Sequence, residues 1–160
     1  MTVKEFLDYL SQELNRSPRT VTSYAEDLYA FEAYFLDKDE GLTWETIDTD
    51  IIRDWMESMV DKGNSPSSVA RRLSAVKGFF KFALAREFIS SDPAHAIRSP
   101  KRSRPLPQFL KENEINDLLD KQAWGDDFKG LRDRLIIMML YETGVRLAEL
   151  VGMDDEAVNL

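Results

Sequence analysis

The sequence contains no cysteine, a single histidine and only seven glycines among its 160 residues. Without cysteine, the chain forms no disulfide, carries no thiol nucleophile and offers no thiolate ligand to a metal. The few glycines never gather into a glycine-rich loop, so a phosphate cradle of the P-loop or dinucleotide type is excluded. The function classes that remain depend on hydroxyl, carboxylate, basic and aromatic side chains.

Long apolar runs are also missing. The longest extends from Leu135 to Tyr141, which is far too short to cross a bilayer. The first five residues, from Met1 to Glu5, lack the apolar stretch that a signal peptide requires. These absences predict a cytoplasmic protein that has no membrane partner.

Positive charge is scarce in total but concentrated in one block. The chain has 21 Lys+Arg against 29 Asp+Glu, a net charge of −8. Residues 1–60 carry a net charge of −9, residues 61–105 one of +7 and residues 106–160 one of −6. A basic block of this kind creates a local field that attracts phosphate, although charge segregation also occurs on ordinary solvated faces.

Apolar residues recur at helical spacing almost throughout, and no alternating strand pattern is present. The spacing predicts helices over residues 2–14, 18–36, 48–61 and 67–87, then a short turn from Ser91 that fades by Arg98. Ser17-Pro18 and Ser65-Pro66 each supply an N-cap followed by a proline suited to the first helical turn. The first part of the chain is therefore predicted to be an all-α domain.

A basic, proline-rich stretch from Ser99 to Pro107 separates this domain from the rest of the chain. Proline lacks the amide proton and restricts the residue before it, so the stretch is predicted to be extended. Further helices are predicted over 110–121, 131–142 and 146–151. The predicted organisation is a helical domain at 1–98, a linker at 99–108 and a second segment at 109–160. That segment is too short for a comfortable core of its own, so we expect the chain to be the front part of a longer protein.

The fourth predicted helix separates apolar from hydrophilic side chains. Val69, Leu73, Val76, Phe80 and Leu84 form one stripe. A helix of this type fits a major groove, where hydroxyl and guanidinium groups reach phosphates and base edges. The predicted DNA-binding residues on it are Ser67, Arg71, Ser74, Lys77 and Lys81; an ordinary surface helix is the alternative. The second helix is arranged similarly, with Arg19, Thr22 and Ser23. Lys101, Arg102 and Arg104 in the linker are predicted to follow the phosphate backbone.

The most informative segment lies between Leu131 and Leu150. An almost wholly apolar helix ends at Thr143-Gly144, and Arg146 comes two residues after that glycine. Glu149, three residues later, lies on the same helical face and is predicted to hold the guanidinium of Arg146 in place. An arginine held in this way grips a phosphate through two parallel hydrogen bonds, although a surface ion pair has the same sequence pattern.

Residues 143–150, Thr-Gly-Val-Arg-Leu-Ala-Glu-Leu, resemble the first catalytic box of the tyrosine recombinase (phage integrase) family, Thr-Gly-x-Arg-x-x-Glu-Leu. Residues 20–31 are similar to the second helix of that family's N-terminal core-binding domain, and residues 70–80 to its fourth helix. Asp92-Pro93, Ser99-Pro100-Lys101 and Leu106-Pro107 resemble the end of that domain and the linker of the bacterial Xer-type recombinases. The resemblance covers essentially the whole chain in order.

The resemblance implies a SAM-like core-binding domain of four to five helices, followed by the first helices of a catalytic domain. It implies site-specific recombination of double-stranded DNA through a 3′-phosphotyrosyl link, with no metal or nucleotide cofactor, in a tetrameric synapse of protomers. Arg146 would stabilise the charge on the reacting phosphate, and Glu149 would orient Arg146. The family's remaining catalytic residues, including the nucleophilic tyrosine, come after this box in the family's sequences, so the 160 residues are expected to bind DNA without cleaving it.

Two other functions remain open at this stage. One is a non-enzymatic all-α DNA-binding module, and the other is a helical protein-interaction domain without a DNA role. Whether a reading frame continues past Leu160 separates the first from an enzyme, and a gel shift with duplex DNA separates the second from both. The apolar run at 135–141 also predicts self-association of the chain, whereas a piece ending near Ser99 is predicted to be monomeric.

Overall fold

The computed structural model describes residues 1–101, 106, 109–121 and 124–154. Every regular element in these residues is a helix and none is a strand, which confirms the predicted all-α fold class. None of the helices in these ranges is long and apolar enough to cross a membrane. The chain divides into two compact units, Met1–Pro105 and Leu106–Leu160.

The first unit is a helical bundle. Its elements are α1 (Val3–Asp8), a π-helical segment (Tyr9–Glu13), α2 (Pro18–Lys38), α3 (Thr49–Asp61) and α4 (Pro66–Ala85). Helix α4 packs against α1, α2 and α3 and lies at the centre of the bundle. The predicted helices over 18–36, 48–61 and 67–87 are confirmed, with boundaries that differ by one or two residues.

The starts of α2 and α4 are capped as the sequence predicts. The Ser17 hydroxyl accepts a hydrogen bond from the Thr20 amide at 3.2 Å, and the Ser65 hydroxyl accepts one from the Ser68 amide at 3.2 Å. In each helix a proline occupies the first turn, where its missing N–H costs no hydrogen bond. Each Ser-Pro pair thus begins one of the two helices on which predicted DNA-binding residues lie.

The core of the first unit is rich in aromatic rings. Trp44, in the loop after α2, lies 4.3 Å from Phe79 and 5.2 Å from Phe35 between ring centroids. Trp55 of α3 lies 4.7 Å from Phe31. All of these rings are buried, and burying large aromatic surfaces supplies much of a small domain's stability. The stripe predicted on α4 is buried at four of its five positions, since Leu84 is exposed.

The first predicted helix differs from the structure. The α-helix ends at Asp8 and continues as the π-helical segment, in which the Leu14 amide bonds to the Tyr9 carbonyl at 3.1 Å. The wider turn shifts the subsequent side chains relative to their positions on an α-helix. Leu10 remains buried, but Leu14, which the spacing places on the apolar stripe, is exposed.

The segment after α4 consists of turns and not of a helix, and hydrogen bonds attach it to the bundle. The Asp92 carboxylate accepts a hydrogen bond from the Ala94 amide at 2.8 Å. The Thr49 hydroxyl donates to the Pro93 carbonyl at 2.8 Å, and the Lys77 ammonium donates to the Ile97 carbonyl at 2.5 Å. Because these bonds join the segment to α3 and α4, it forms part of the first unit.

The second unit contains α5 (Glu112–Lys121), α6 (Phe128–Thr143) and α7 (Leu147–Val151). Helix α6 begins three residues before the predicted start, because the Asp127 carboxylate caps it by accepting a hydrogen bond from the Gly130 amide at 2.9 Å. Gly144 ends α6 with a φ of 65°, the left-handed conformation that glycine adopts without strain. The Trp124 indole donates to the Leu118 carbonyl at 3.1 Å.

Candidate nucleic-acid interface

The N-terminal halves of α2 and α4 border an open groove of about 550 Å³ in the first unit. The two helices pack side by side, and both of these halves are rich in residues with short hydroxyl side chains. The groove is lined by Ser17, Arg19, Thr20, Ser23, Tyr24, Asp27, Ser67, Arg71 and Ser74. Hydroxyl and guanidinium donors around one concave surface are suited to phosphates and base edges.

Five of the predicted DNA-binding residues meet in this groove. They are Arg19, Ser23, Ser67, Arg71 and Ser74. Three come from α4 and two from α2, so the fold unites two sequence segments that are about 50 residues apart. Ser74 also donates its hydroxyl to the Ala70 carbonyl at 2.8 Å, which fixes the position of the oxygen while leaving it free to accept.

The other predicted DNA-binding residues do not line the groove. Thr22 is exposed on α2, Lys77 bonds to the Ile97 carbonyl, and Lys81 borders a second cavity with Phe6 and Arg86. Lys101 is exposed at the end of a described range. Arg102 and Arg104 lie outside the described residues.

Asp27 is a charged residue of this groove that is not among the predicted DNA-binding residues. Its side chain is only 5% exposed, and its carboxylate forms two hydrogen bonds to the Arg71 guanidinium, at 2.5 and 2.9 Å. The signal was present in the sequence, since Asp27 falls three residues after Tyr24 and four before Phe31, on the apolar stripe of α2. A charged residue on an apolar stripe needs a partner, because an unpaired charge is costly to bury.

Burial and charge act in opposite directions on Asp27. Burial raises the pKa of the Asp27 carboxyl, while the hydrogen bond and charge of Arg71 and the charge of Arg72 lower it, and the effect of burial is larger. The Arg72 Nε atom lies 3.8 Å from the carboxylate. The pair is therefore held by good geometry at a site where ionisation is costly.

The second candidate site lies between α6 and α7. The Glu149 carboxylate accepts a hydrogen bond from the Arg146 amide and another from the Arg146 guanidinium, both at 2.9 Å. These bonds hold the pKa of the Glu149 carboxyl below its usual value. The Arg146 side chain is 83% exposed, so most of its donors are available to a ligand.

The residues before Arg146 form a compact turn. The Thr143 hydroxyl donates to the Met139 carbonyl at 2.5 Å and accepts from the Val145 amide at 3.2 Å. With the left-handed Gly144 between them, these bonds carry the chain from the end of α6 to the start of α7. The catalytic roles predicted for Arg146 and Glu149 stay predictions.

Comparison with known proteins identifies the family. Residues 3–87 match the model of the phage integrase N-terminal SAM-like domain. The chain is 37% identical over 156 residues to the tyrosine recombinase XerC of Natranaerobius thermophilus, covering 98% of this chain and 52% of that protein. It is 28% identical over 158 residues to the XerD of Oceanobacillus iheyensis, covering 99% of this chain and 52% of that protein.

A solved structure shares the fold. The chain superposes on lambda integrase, in a crystal structure of a dimer bound to a COC′ core site, with a TM-score of 0.65 and 21% identity over 99% of this chain and 43% of that one. The chain spans about half the length of the curated relatives that it matches. Since the family model covers residues 3–87, more than half of the chain, the protein belongs to the phage integrase, or tyrosine recombinase, family, and residues 3–87 match the N-terminal SAM-like domain of that family.

Proposed function

We propose that this chain is the DNA-binding front part of a site-specific tyrosine recombinase. The observation that carries the proposal is the groove between α2 and α4, where two arginines and several hydroxyl groups surround one concave surface. In the proposed complex α4 lies in the major groove of a duplex, and Lys101, Arg102 and Arg104 follow the phosphate backbone. Residues 1–98 then act as the core-binding domain, residues 99–108 as a linker, and residues 109–160 as the start of a catalytic domain.

In the proposed reaction, Arg146 contacts the scissile phosphate and stabilises the charge that develops on it, and Glu149 keeps the guanidinium in place. Further protomers join on the same DNA, as two do in the lambda integrase dimer bound to its core site. The proposed substrate is double-stranded DNA, and the proposed location is the cytoplasm.

Binding of a fluorescent duplex, followed by anisotropy over a range of salt concentrations, tests the groove. We expect Arg19→Ala with Arg71→Ala to weaken binding and to flatten the log–log salt dependence by about 0.9 for each phosphate that is no longer neutralised. Arg53→Ala with Lys62→Ala removes the same charge from the exposed surface of α3 and its end, and serves as the matched control. Equal losses in both double variants would assign binding to overall charge and not to the groove.

The catalytic assignment needs a full-length recombinase that contains this chain. We expect Arg146→Ala to abolish covalent complex formation on a suicide substrate while leaving DNA binding nearly intact, because the charge it meets develops mainly in the transition state. Arg132→Ala is the control, since Arg132 is a half-exposed arginine paired with Asp133 at 2.7 Å on α6. Normal accumulation of the covalent complex by the Arg146 variant would refute the assignment.

A further inference from the structure

We infer that Asp27 is a positioning residue, which holds Arg71 so that one edge of its guanidinium faces a pair of acceptors in bound DNA. The inference rests on the proposed function, because it assigns to the groove between α2 and α4 the residue that orients its central donor. Asp27 itself is buried and acts through Arg71.

The contacts of Arg71 occupy one end of its guanidinium. Nη1 donates to Asp27 Oδ2 at 2.5 Å, and Nη2 donates to Asp27 Oδ1 at 2.9 Å. Nη1 also donates to the Ser23 hydroxyl at 2.8 Å. A guanidinium has five N–H donors in a fixed plane, so these bonds use both hydrogens of Nη1 and one of Nη2.

The two donors that remain lie on a single edge. The Nε–H and the second N–H of Nη2 are parallel and point away from Asp27, and neither donates a hydrogen bond within the part of the chain that the structure describes. The Arg71 side chain is 52% exposed and lines the groove. Two parallel donors match two adjacent acceptors, which a duplex offers as phosphate oxygens or as O6 and N7 of guanine.

Stability alone is a weak reason to bury Asp27. A buried carboxylate loses its hydration, and a buried ion pair is often no more stabilising than apolar residues of similar size. The free arginine side chain is flexible, and fixing it before DNA arrives removes an ordering cost from the binding step. Asp27 and Ser23 therefore fix the Arg71 side chain for binding, which apolar residues in their place would not do.

A double-mutant cycle separates positioning from structure. The probe is a duplex selected from a random-sequence pool by the wild-type chain, and the variants are Asp27→Asn, Arg71→Ala and both together. Asparagine keeps the shape of the side chain but loses its charge and one acceptor. We expect Asp27→Asn to weaken binding about tenfold in the wild-type background and to have little further effect when Arg71 is alanine.

Controls keep the cycle interpretable. Glu13→Gln breaks a different ion pair, the exposed pair of Glu13 with Arg86 at the end of α4, and is expected to leave binding unchanged. Ser23→Ala loosens Arg71 from its other side, so a smaller loss with the same dependence on Arg71 is expected even if Asp27→Asn fails to fold. Arg71→Lys keeps the charge but not the planar fork, and we expect it to bind nearly as weakly as Arg71→Ala.

Modified duplexes identify the acceptor pair. Loss of the Arg71 contribution on replacing one guanine with 7-deazaguanine identifies a guanine edge, and loss on a methylphosphonate at one position identifies a phosphate; either result supports the positioning role. Equal effects of Asp27→Asn with and without Arg71 would overturn the inference and leave DNA binding intact. Failure of the wild-type chain to select any duplex would instead overturn the proposed function.

Discussion

Helices α4 and α6 are the most apolar long helices of their units, yet their surroundings are opposite. Helix α4 buries nine of its residues against the other helices of the first unit. Helix α6 contains the longest apolar run of the chain, and none of its side chains is buried among the residues that the structure describes. The apolar content of a helix thus predicts that its side chains favour burial. How many of them are buried depends on which other elements pack against the helix.

The exposed side of α6 has a regular pattern. Phe128, Leu131, Leu135 and Met138 are all exposed, and their spacing of three, four and three residues places them along one side of the helix. We call these four residues the α6 stripe. Helices carrying such stripes pack against one another in coiled coils and bundles, so the stripe is the part of the second unit most suited to bind another apolar surface.

The largest expected effect comes from truncating a buried aromatic side chain in the core around α4. Phe79 is completely buried between Trp44 and Phe6, so Phe79→Ala is expected to lower the free energy of unfolding by about 3–5 kcal/mol. Leu135→Ala in the α6 stripe is expected to cost less than about 1 kcal/mol. Urea unfolding followed by circular dichroism measures both, and equal losses would mean that α6 is as well packed in solution as α4.

The second effect concerns association. Covering roughly 400 Å² of apolar surface is worth about 10 kcal/mol before the costs of association, so we predict that the chain self-associates through α6. Leu131→Gln with Leu135→Gln is expected to weaken the association at least tenfold, as measured by light scattering over a range of concentrations. Leu36→Gln with Val60→Gln changes two exposed apolar residues of the first unit and is the control.

A strictly monomeric wild-type chain with one cooperative unfolding transition would contradict that prediction. It would show that the second unit covers the α6 stripe by itself, and the contrast with α4 would then disappear in solution.

The helix caps are expected to have a smaller effect and to show whether the units unfold separately. Ser65→Ala removes the cap of α4 and is expected to cost about 1 kcal/mol in the transition of the first unit. Asp127→Ala removes the cap of α6 and is expected to shift only the unfolding transition of the second unit. If both variants displaced one common transition, the two units would unfold as a single cooperative body.

The smallest expected effect concerns the pH dependence of the free energy of unfolding, to which Asp27 and Glu149 contribute with opposite signs. Because burial raises the pKa of Asp27 above 3.8, the folded chain binds this proton more tightly than the unfolded chain. Its contribution to the free energy of unfolding therefore falls as the pH rises from 3.8 through the raised pKa. Urea unfolding of wild type and Asp27→Asn across the acidic range measures this, and an opposite slope would mean that Arg71 and Arg72 outweigh burial.

Glu149 in the second unit has the opposite sign. Its pKa lies below 4.5 because the Arg146 amide and guanidinium bond to the charged form. The stabilisation is present above 4.5 and disappears as the pH falls through the lowered pKa. Comparison with Glu149→Gln isolates this contribution, which is small because the pair is exposed.

The sequence predicts local features well. Ser17, Ser65 and Gly144 mark helix ends through their own backbone and side-chain chemistry, so their roles follow from the residues alone. The pairing of Arg146 with Glu149 follows equally from a spacing of three residues on a helix. The α4 stripe is predictable because one face of a helix is visible in its periodicity.

Features that depend on distant residues are predicted less well. The Lys77 ammonium bonds to the carbonyl of Ile97, a contact that needs the return of the chain after α4. Asp27 meets Arg71 across 44 residues, and no local pattern indicates that pairing. Leu14 leaves the apolar stripe because a π-helical turn, which depends on packing, replaces an α-helical one.

The positions of the three tryptophans allow each unit of the chain to be followed by its own fluorescence. Trp44 and Trp55 are buried in the first unit, and Trp124 lies half-buried in the second. Replacing Trp44 and Trp55 with phenylalanine would leave Trp124 as the single tryptophan, whose emission reports on its surroundings in the second unit. Conversely, Trp124→Phe leaves two tryptophans inside the aromatic core, where the Trp44 indole also donates to the Glu32 carboxylate at 2.6 Å. The two halves of the chain can therefore be observed separately without any added dye.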